Sequence, residues 1–307
     1  MRGEHDRGSA PSLVHTDSVD DPRITQSRND AHVPDLFPVA GCGASMSGMR
    51  DAALPETCCT EPTLWLWAGK AVYVGPSLNI DYHSGSILCF AVGADAPFTL
   101  RDEHGEQWSV RSAAVAPRTV HRVEAHGERM VFAYSDPGVS RSDRILDAAS
   151  TRTGGFGLRL PSESALLELA AAGSPDPRAL VETLCGPEPR QVDERIRAAV
   201  RIVREKPGAV VAAADLAAAV NLSTSRFLHL FSAEAGTSFR RYRLWARMLH
   251  VGEAVARGSD LTTASVEAGF SSPSHFSDSF HSMFGLSAAA LLAMGTRIEI
   301  LESEPAP

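Results

Sequence analysis

The last third of the chain contains one short pattern twice, and a duplication of this kind limits the fold more than any other feature of the sequence. The first copy spans residues 216–231 and is followed by Gly236, Thr237 and Ser238. The second spans residues 264–280 and is followed by Gly285, Leu286 and Ser287. Asn221 and Gly269 stand 48 residues apart, whereas Phe227 and Phe276, like Phe231 and Phe280, stand 49 apart. The second copy therefore holds one extra residue in its middle.

Each copy has the physical pattern of a helix-turn-helix. Small residues fill a first short helix, so a second helix can cross it closely. Asn221 or Gly269 follows, residue types that tolerate a left-handed backbone. An apolar residue comes next, Leu222 or Phe270. Ser223 and Ser271 are placed to cap the second helix. In that helix the phenylalanines recur four apart, which anchors one face and leaves the other free.

A long helical stretch from about 238 to 257 joins the copies. Phe239, Tyr242, Ala246 and Leu249 mark one apolar side, and Leu244 and Met248 another. Arg240, Arg243 and Arg247 form a stripe at i, i+3 and i+7. This is the pattern of a helix buried between two lobes with one basic seam exposed, and such a seam suits phosphate contacts.

The net charge of -8 looks wrong for a nucleic-acid binder, but its distribution is uneven. Residues 190–297 carry 13 basic and 9 acidic residues, +4, which leaves the rest of the chain at -12. Five cysteines at irregular spacing form neither a disulfide framework nor a zinc pattern. No uncharged apolar run approaches the roughly 20 residues of a membrane helix, and the start lacks a basic-then-apolar order. A cytoplasmic protein is expected, with no membrane partner.

The sequence divides into five parts. Residues 1–60 are polar, rich in Gly, Ser, Asp and Pro, and expected to be disordered. Residues 61–140 show short β-like runs at 64–67, 71–74, 87–92, 108–110 and 130–134, with turn residues between them, which suggests a barrel or sandwich. Residues 141–190 read as a connector with bridging helices, one capped by Ser162 and one started by Asp176 and Pro177. Residues 191–296 hold the duplication, and 297–307 read as a C-terminal tail. The fold class is α+β multidomain.

The duplicated region closely resembles the AraC/XylS family of transcription regulators. The second copy matches the family signature at Gly269, Phe270, His275, Phe276, Phe280 and Gly285. The first matches at Leu222, Ser223, Ser225, Arg226, Phe227, Phe231, Gly236, Thr237, Ser238 and Tyr242. The family's closing Pro, aromatic and Arg are replaced by Ala288, Leu291 and Leu292. The resemblance implies a seven-helix domain that lays two recognition helices into successive major grooves of double-stranded DNA, about one turn apart. Its base-reading positions fall on Ser225, Leu228 and His229, and on Ser274, Ser277 and Asp278. Phosphate contacts fall on Arg226, Arg240, Arg243 and Arg247. His229 and Asp278 stand where the family often has Arg. An Asp accepts only from a donor such as cytosine N4.

The segment 115–123, with Pro117 before His121, is similar to a strand-turn-strand of the cupin-like sensor barrels of the same family. That implies a small-molecule effector pocket, here assigned to Trp67, His83 and His121, together with a homodimer and, for an activator, RNA polymerase as a partner. No enzymatic activity, cofactor or metal is expected. Two alternatives are a metal-dependent cupin enzyme using Asp81, His83, His121 and His126, or a thiol sensor using Cys58 and Cys59, either one fused to the DNA-binding helices.

Overall fold

The computed structural model describes residues 61–302, except 68, 137–141, 187–191, 207, 209 and 210. The expected disorder of 1–60, and Cys58 with Cys59, lie outside these residues. The described part opens with nine strands: β1 (Thr63–Trp67), β2 (Lys70–Pro76), β3 (Ile80–His83), β4 (Leu88–Gly93), β5 (Phe98–Asp102), β6 (Gln107–Val110), β7 (Ser112–Val115), β8 (His121–Ala125) and β9 (Arg129–Ser135). Helix α1 (Ser142–Ala148) precedes the hairpin β10 (Thr151–Thr153) and β11 (Phe156–Leu158). Helices α2 (Glu163–Ala171) and α3 (Pro177–Cys185) follow.

Two sheets face each other. One has the order β10-β11-β7-β4-β9-β2-β1-β12, the other β3-β8-β5-β6. Along β2 every residue but the ends is buried, and along β4 every residue is, because both faces of the large sheet are covered. Ala71, Tyr73, Cys89 and Ala91 point to the space between the sheets, where Phe98, Leu100 and Val123 meet them from the small sheet. Val72, Val74, Phe90 and Val92 point the other way and pack on Leu166, Leu180 and Leu184. Full burial of such a side chain contributes roughly 1.5–3 kcal/mol, so the outer layer is as much part of this domain as the interior.

The segment expected as a connector thus belongs to the sheet domain. Its hairpin turns at Gly154 and Gly155, and β11 pairs with β7 through Phe156 and Val115. Gly-Gly between two short alternating runs is a hairpin signal, and it was readable. The N-cap expectations differ in outcome. The Asp176 carboxylate accepts from the Arg178 N–H at 2.9 Å and caps α3. Ser162 makes no side-chain cap; its hydroxyl donates to the Thr183 carbonyl at 3.2 Å and ties α2 to α3 instead.

Seven helices follow among the described residues: α4 (Glu194–Glu205), α5 (Ala213–Ala219), α6 (Thr224–Ala235), α7 (Phe239–Ala256), α8 (Leu261–Glu267), α9 (Pro273–Phe284) and α10 (Ala288–Ala293). None is long and apolar enough to cross a membrane. Residues 297–300, expected within a tail, form strand β12 (Arg297–Ile300), which runs parallel to β1. The alternation Arg-Ile-Glu-Ile is a period-two signal. Glu299 accepts the Trp65 indole N–H at 2.7 Å, which fixes the strand to the sheet edge.

Candidate nucleic-acid interface

Helices α5 and α6 form the first helix-turn-helix, and α8 and α9 the second. Both turns use the expected left-handed residue: φ is +56° at Asn221 and +83° at Gly269. The capping differs between them. Ser223 caps α6, its hydroxyl accepting from the Arg226 N–H at 3.3 Å. In the second unit the cap is Ser272, not Ser271. Ser272 accepts from the His275 N–H at 3.1 Å, while the Ser271 hydroxyl bonds the His275 ring at 2.9 Å. The extra residue in the second turn moves the cap one place along. Pro273 then starts α9, where its missing N–H costs nothing.

The anchoring faces are buried. Phe227 and Phe231 are closed off from solvent and join Phe239 and Tyr242 in one aromatic cluster, with ring centroids 5.4–5.8 Å apart. Phe276 is buried too, and Phe280 is half-buried. The opposite faces are open. Ser225, Arg226, Leu228 and His229 on α6 are exposed, as are Ser274, Ser277 and Asp278 on α9. Leu228 is 40% exposed, a large apolar side chain left outward on an otherwise well-packed helix.

Helix α7 lies between the lobes, as its pattern suggests. Its buried set includes Trp245, an anchor beyond those read from the sequence. Trp245 donates its indole N–H to the Gly69 carbonyl at 3.3 Å, and the Tyr242 hydroxyl donates to Asp136 at 2.6 Å. Both acceptors belong to the sheet domain. Arg240 is exposed, and Arg243 and Arg247 are half-exposed. The Arg243 and Arg247 guanidinium groups sit 5.9 Å from the rings of Phe239 and Phe270. Arg241, which the stripe leaves out, turns to the sheet domain and donates to the Ser84 carbonyl at 2.6 Å and hydroxyl at 2.7 Å. Its signal was present: one residue from Arg240 is about 100° around a helix.

The second unit touches the sheet domain directly. The Asp81 N–H donates to the Gly285 carbonyl at 3.0 Å, and the Ser84 N–H to the Ser282 carbonyl at 3.1 Å. The end of α9 is therefore fastened by backbone bonds to β3 and the residue after it.

The three effector-pocket residues are not brought together. His83 and His121 are buried partners with ring centroids 4.1 Å apart, and His121 is 6.2 Å from Phe156. Trp67 lies on the other face of the large sheet, in the outer layer, with Arg178 5.9 Å from its ring. His83 and His121 sit on β3 and β8 of the small sheet, so the large sheet stands between them and the outer-layer Trp67. The Nδ1–H groups of His83 and His121 donate to the Asp81 and Thr119 carbonyls at 2.8 and 3.0 Å. Burial pushes both rings below the usual imidazole range, His121 to about 3, with each positive charge also opposed by the other ring or by His281. His126 stands apart, exposed and bonded to the Thr99 hydroxyl at 2.7 Å. Among the described residues no group of three or more His, Cys, Asp or Glu side chains could hold a metal ion.

An apolar cavity of about 100 Å³ opens where the sheet domain meets the helices. Leu66, Tyr73 and Phe132 line it from the sheets, and Trp245, Phe280 and Phe284 from α7 and α9.

Residues 216–294 match the family model described as "Helix-turn-helix domain". No curated protein matches the chain. Among solved structures, an apo variant of ToxT from Vibrio cholerae is 12% identical, with 74% of this chain and 98% of that one covered and a TM-score of 0.50. The C-terminal domain of AraT, a response regulator from Geobacillus stearothermophilus, is 15% identical over 38% of this chain and 95% of that one, at 0.32. The AraC-like transcriptional activator CuxR is 10% identical over 68% and 84%, at 0.25. The chain therefore carries a helix-turn-helix domain at residues 216–294, behind a β-rich domain, and shares the two-domain fold of ToxT.

Proposed function

We propose that the protein reads two successive major-groove segments of a specific operator and changes transcription in response to a small molecule. The observation that carries this reading is the pairing of two helices, α6 and α9, each buried on one side and open on the other, with α7 and its arginines between them. Ser225, Leu228 and His229 address one half of the site, and Ser274, Ser277 and Asp278 the other. His229 offers an imidazole donor to a guanine edge, Leu228 an apolar contact to a thymine methyl, and Asp278 an acceptor for cytosine N4. Arg226, Arg240, Arg243 and Arg247 hold phosphates and set the register.

The effector belongs to the apolar cavity between the sheets and α7 with α9, not to a pocket centred on Trp67. A ligand there touches the elements that carry the second recognition helix, so its binding energy can bias how that helix is presented. A homodimer, and contact with RNA polymerase if the protein activates, complete the reading.

Selection of duplexes from a random pool by the full chain tests it. The expected result is a site with two conserved segments centred about one helical turn apart. Recovery of unrelated sequences, or of one short segment alone, would overturn it. A thermal-shift screen of apolar metabolites tests the second half, since a ligand that binds only the folded state raises the melting temperature.

A further inference from the structure

Where α7 meets the rim of the sheet domain there is a polar cleft of about 740 Å³. Helix α7 gives it four arginines, Arg240, Arg241, Arg243 and Arg247, and the sheet domain gives it Ser84 and Ser86. Asp278 is the one carboxylate in its lining.

Three observations describe what the cleft lacks. The first is charge. Arg241 is held below the usual guanidinium range by burial and by Arg118, and Arg247 by burial and by Arg243. Among the described residues none of these five arginines makes an ion pair. Like charges crowded with no ion-paired partner favour a bound anion.

The second is hydrogen bonding. Buried polar atoms without a partner are rare and call for an explanation. Among the described residues five such side-chain atoms occur, and three of them belong to residues that line this cleft: Ser86 Oγ, Arg241 Nε and Arg247 Nε. All three can donate, and the two arginine nitrogens can only donate. Ser84 Oγ accepts from Arg241 and keeps its own hydrogen to give. The missing partner is an acceptor.

The third is shape. Ser86 is 1% exposed. A DNA duplex, whose major groove alone is about 12 Å wide, can lie along the open Arg240 side but cannot follow the cleft in to the sheet domain. A small ligand can.

We propose that this cleft binds a small phosphate-bearing anion, held by Arg241 and Ser86, at a site separate from the DNA-phosphate contacts of Arg240, Arg243 and Arg247. Guanidinium groups pair with phosphate oxygens through two parallel N–H bonds, and the serine hydroxyls supply the remaining donors. The volume exceeds that of one phosphate and leaves room for the group that carries it. The inference stands apart from the operator reading, since it needs no DNA.

Calorimetric titration of the full chain with inorganic pyrophosphate, at fixed ionic strength and without DNA, tests it. One saturable site is expected. Arg241→Gln weakens it by about tenfold or more, as loss of a charge-assisted bond does. Ser86→Ala weakens it about threefold or more, and Arg240→Ala leaves it within about twofold. Ser86→Ala removes an unpartnered hydroxyl and keeps the fold, so the test survives if the Arg241 variant loosens the junction. Absence of saturable binding overturns the proposal, as does equal binding by sulfate or no effect of Ser86→Ala. In parallel, Ser86→Ala is expected to bind duplex DNA as the unaltered chain does; loss of DNA binding there would make the cleft part of the DNA contact and overturn the separate site.

Discussion

The two helix-turn-helix units share a plan and differ in what they lean on. In the first, the aromatic side chains close on one another: Phe227, Phe231, Phe239 and Tyr242 form a cluster within the helical lobe. In the second, they lead out of it. Phe276 meets Phe280 and Phe280 meets Phe284 in tilted ring contacts, and Phe284 meets Tyr134 of β9 edge-on. Backbone bonds from Asp81 and Ser84 add to this second connection. The charges differ in the same direction. The exposed residues of α6 include Arg226 and His229, whereas those of α9 include Asp278 with His275 and His281, so only α6 exposes an arginine and only α9 a carboxylate. Both copies of the module leave one helix face open, and the second copy is also a joint to the β-rich domain.

Core truncation breaks this comparison most strongly. Phe231→Ala removes a fully buried ring and is expected to cost about 3–5 kcal/mol of unfolding free energy. Phe280→Ala, at a half-buried position, should cost less. Urea unfolding of both variants checks the order, and an equal cost would mean that the second cluster is as closed as the first.

Glycine caps sharpen it next. Gly236 and Gly285 both end their recognition helices with φ near +70°. A side chain strains either one by about 1–2 kcal/mol. At Gly285 a Cβ would also stand 2.4 Å from the Asp81 carbonyl oxygen, against backbone that cannot swing aside. Gly285→Ala is therefore expected to destabilise by about 1 kcal/mol or more beyond Gly236→Ala. Equal melting temperatures for the two variants would remove the special contact of the second unit.

The binding surfaces should respond in opposite senses. His229→Ala is expected to cost on the order of 1–3 kcal/mol at one half of the operator. Asp278→Asn removes a negative charge facing the phosphates and should tighten binding to duplexes in general while relaxing choice at the other half. Arg240→Ala and Arg247→Ala should weaken all duplexes alike, and each should lower the salt slope by about one. Gel-shift titrations over a salt series read all four.

A separate expected effect is on the pH dependence of stability. His121 has a folded pKa of about 3, against 6.5 for an unperturbed ring. The unfolded state binds the extra proton first, so stability is full above about pH 6.5 and falls as pH drops from there toward 3. His121→Asn should flatten that acid limb in a thermal melt series, and an unchanged limb would place the proton uptake elsewhere.

The helical third was legible because its signals are local. Left-handed turn residues, small first helices and phenylalanines four apart need no distant partner to be recognised. The fold class followed from the same features together with short apolar runs divided by turns. What escaped the sequence depends on long-range packing. Strand β12 rests on a partner more than 200 residues away, through Trp65 and Glu299. Trp67, at the end of the β-like run 64–67, reads as a pocket residue, but which face of a sheet a residue takes depends on register, and one step reverses it. The cap at Ser272 in place of Ser271 is a one-residue error of the same kind. Arg241 is adjacent to the stripe in sequence and on another side of the helix in space.

Operator reading of the proposed kind requires that α6 and α9 enter the same duplex. Hydroxyl-radical footprinting of the full chain on a selected operator measures this. Two protected segments on one face of the DNA, about one helical turn apart, with the His229→Ala variant losing protection at one segment only, is the predicted result. A single protected segment that the variant leaves intact would contradict it.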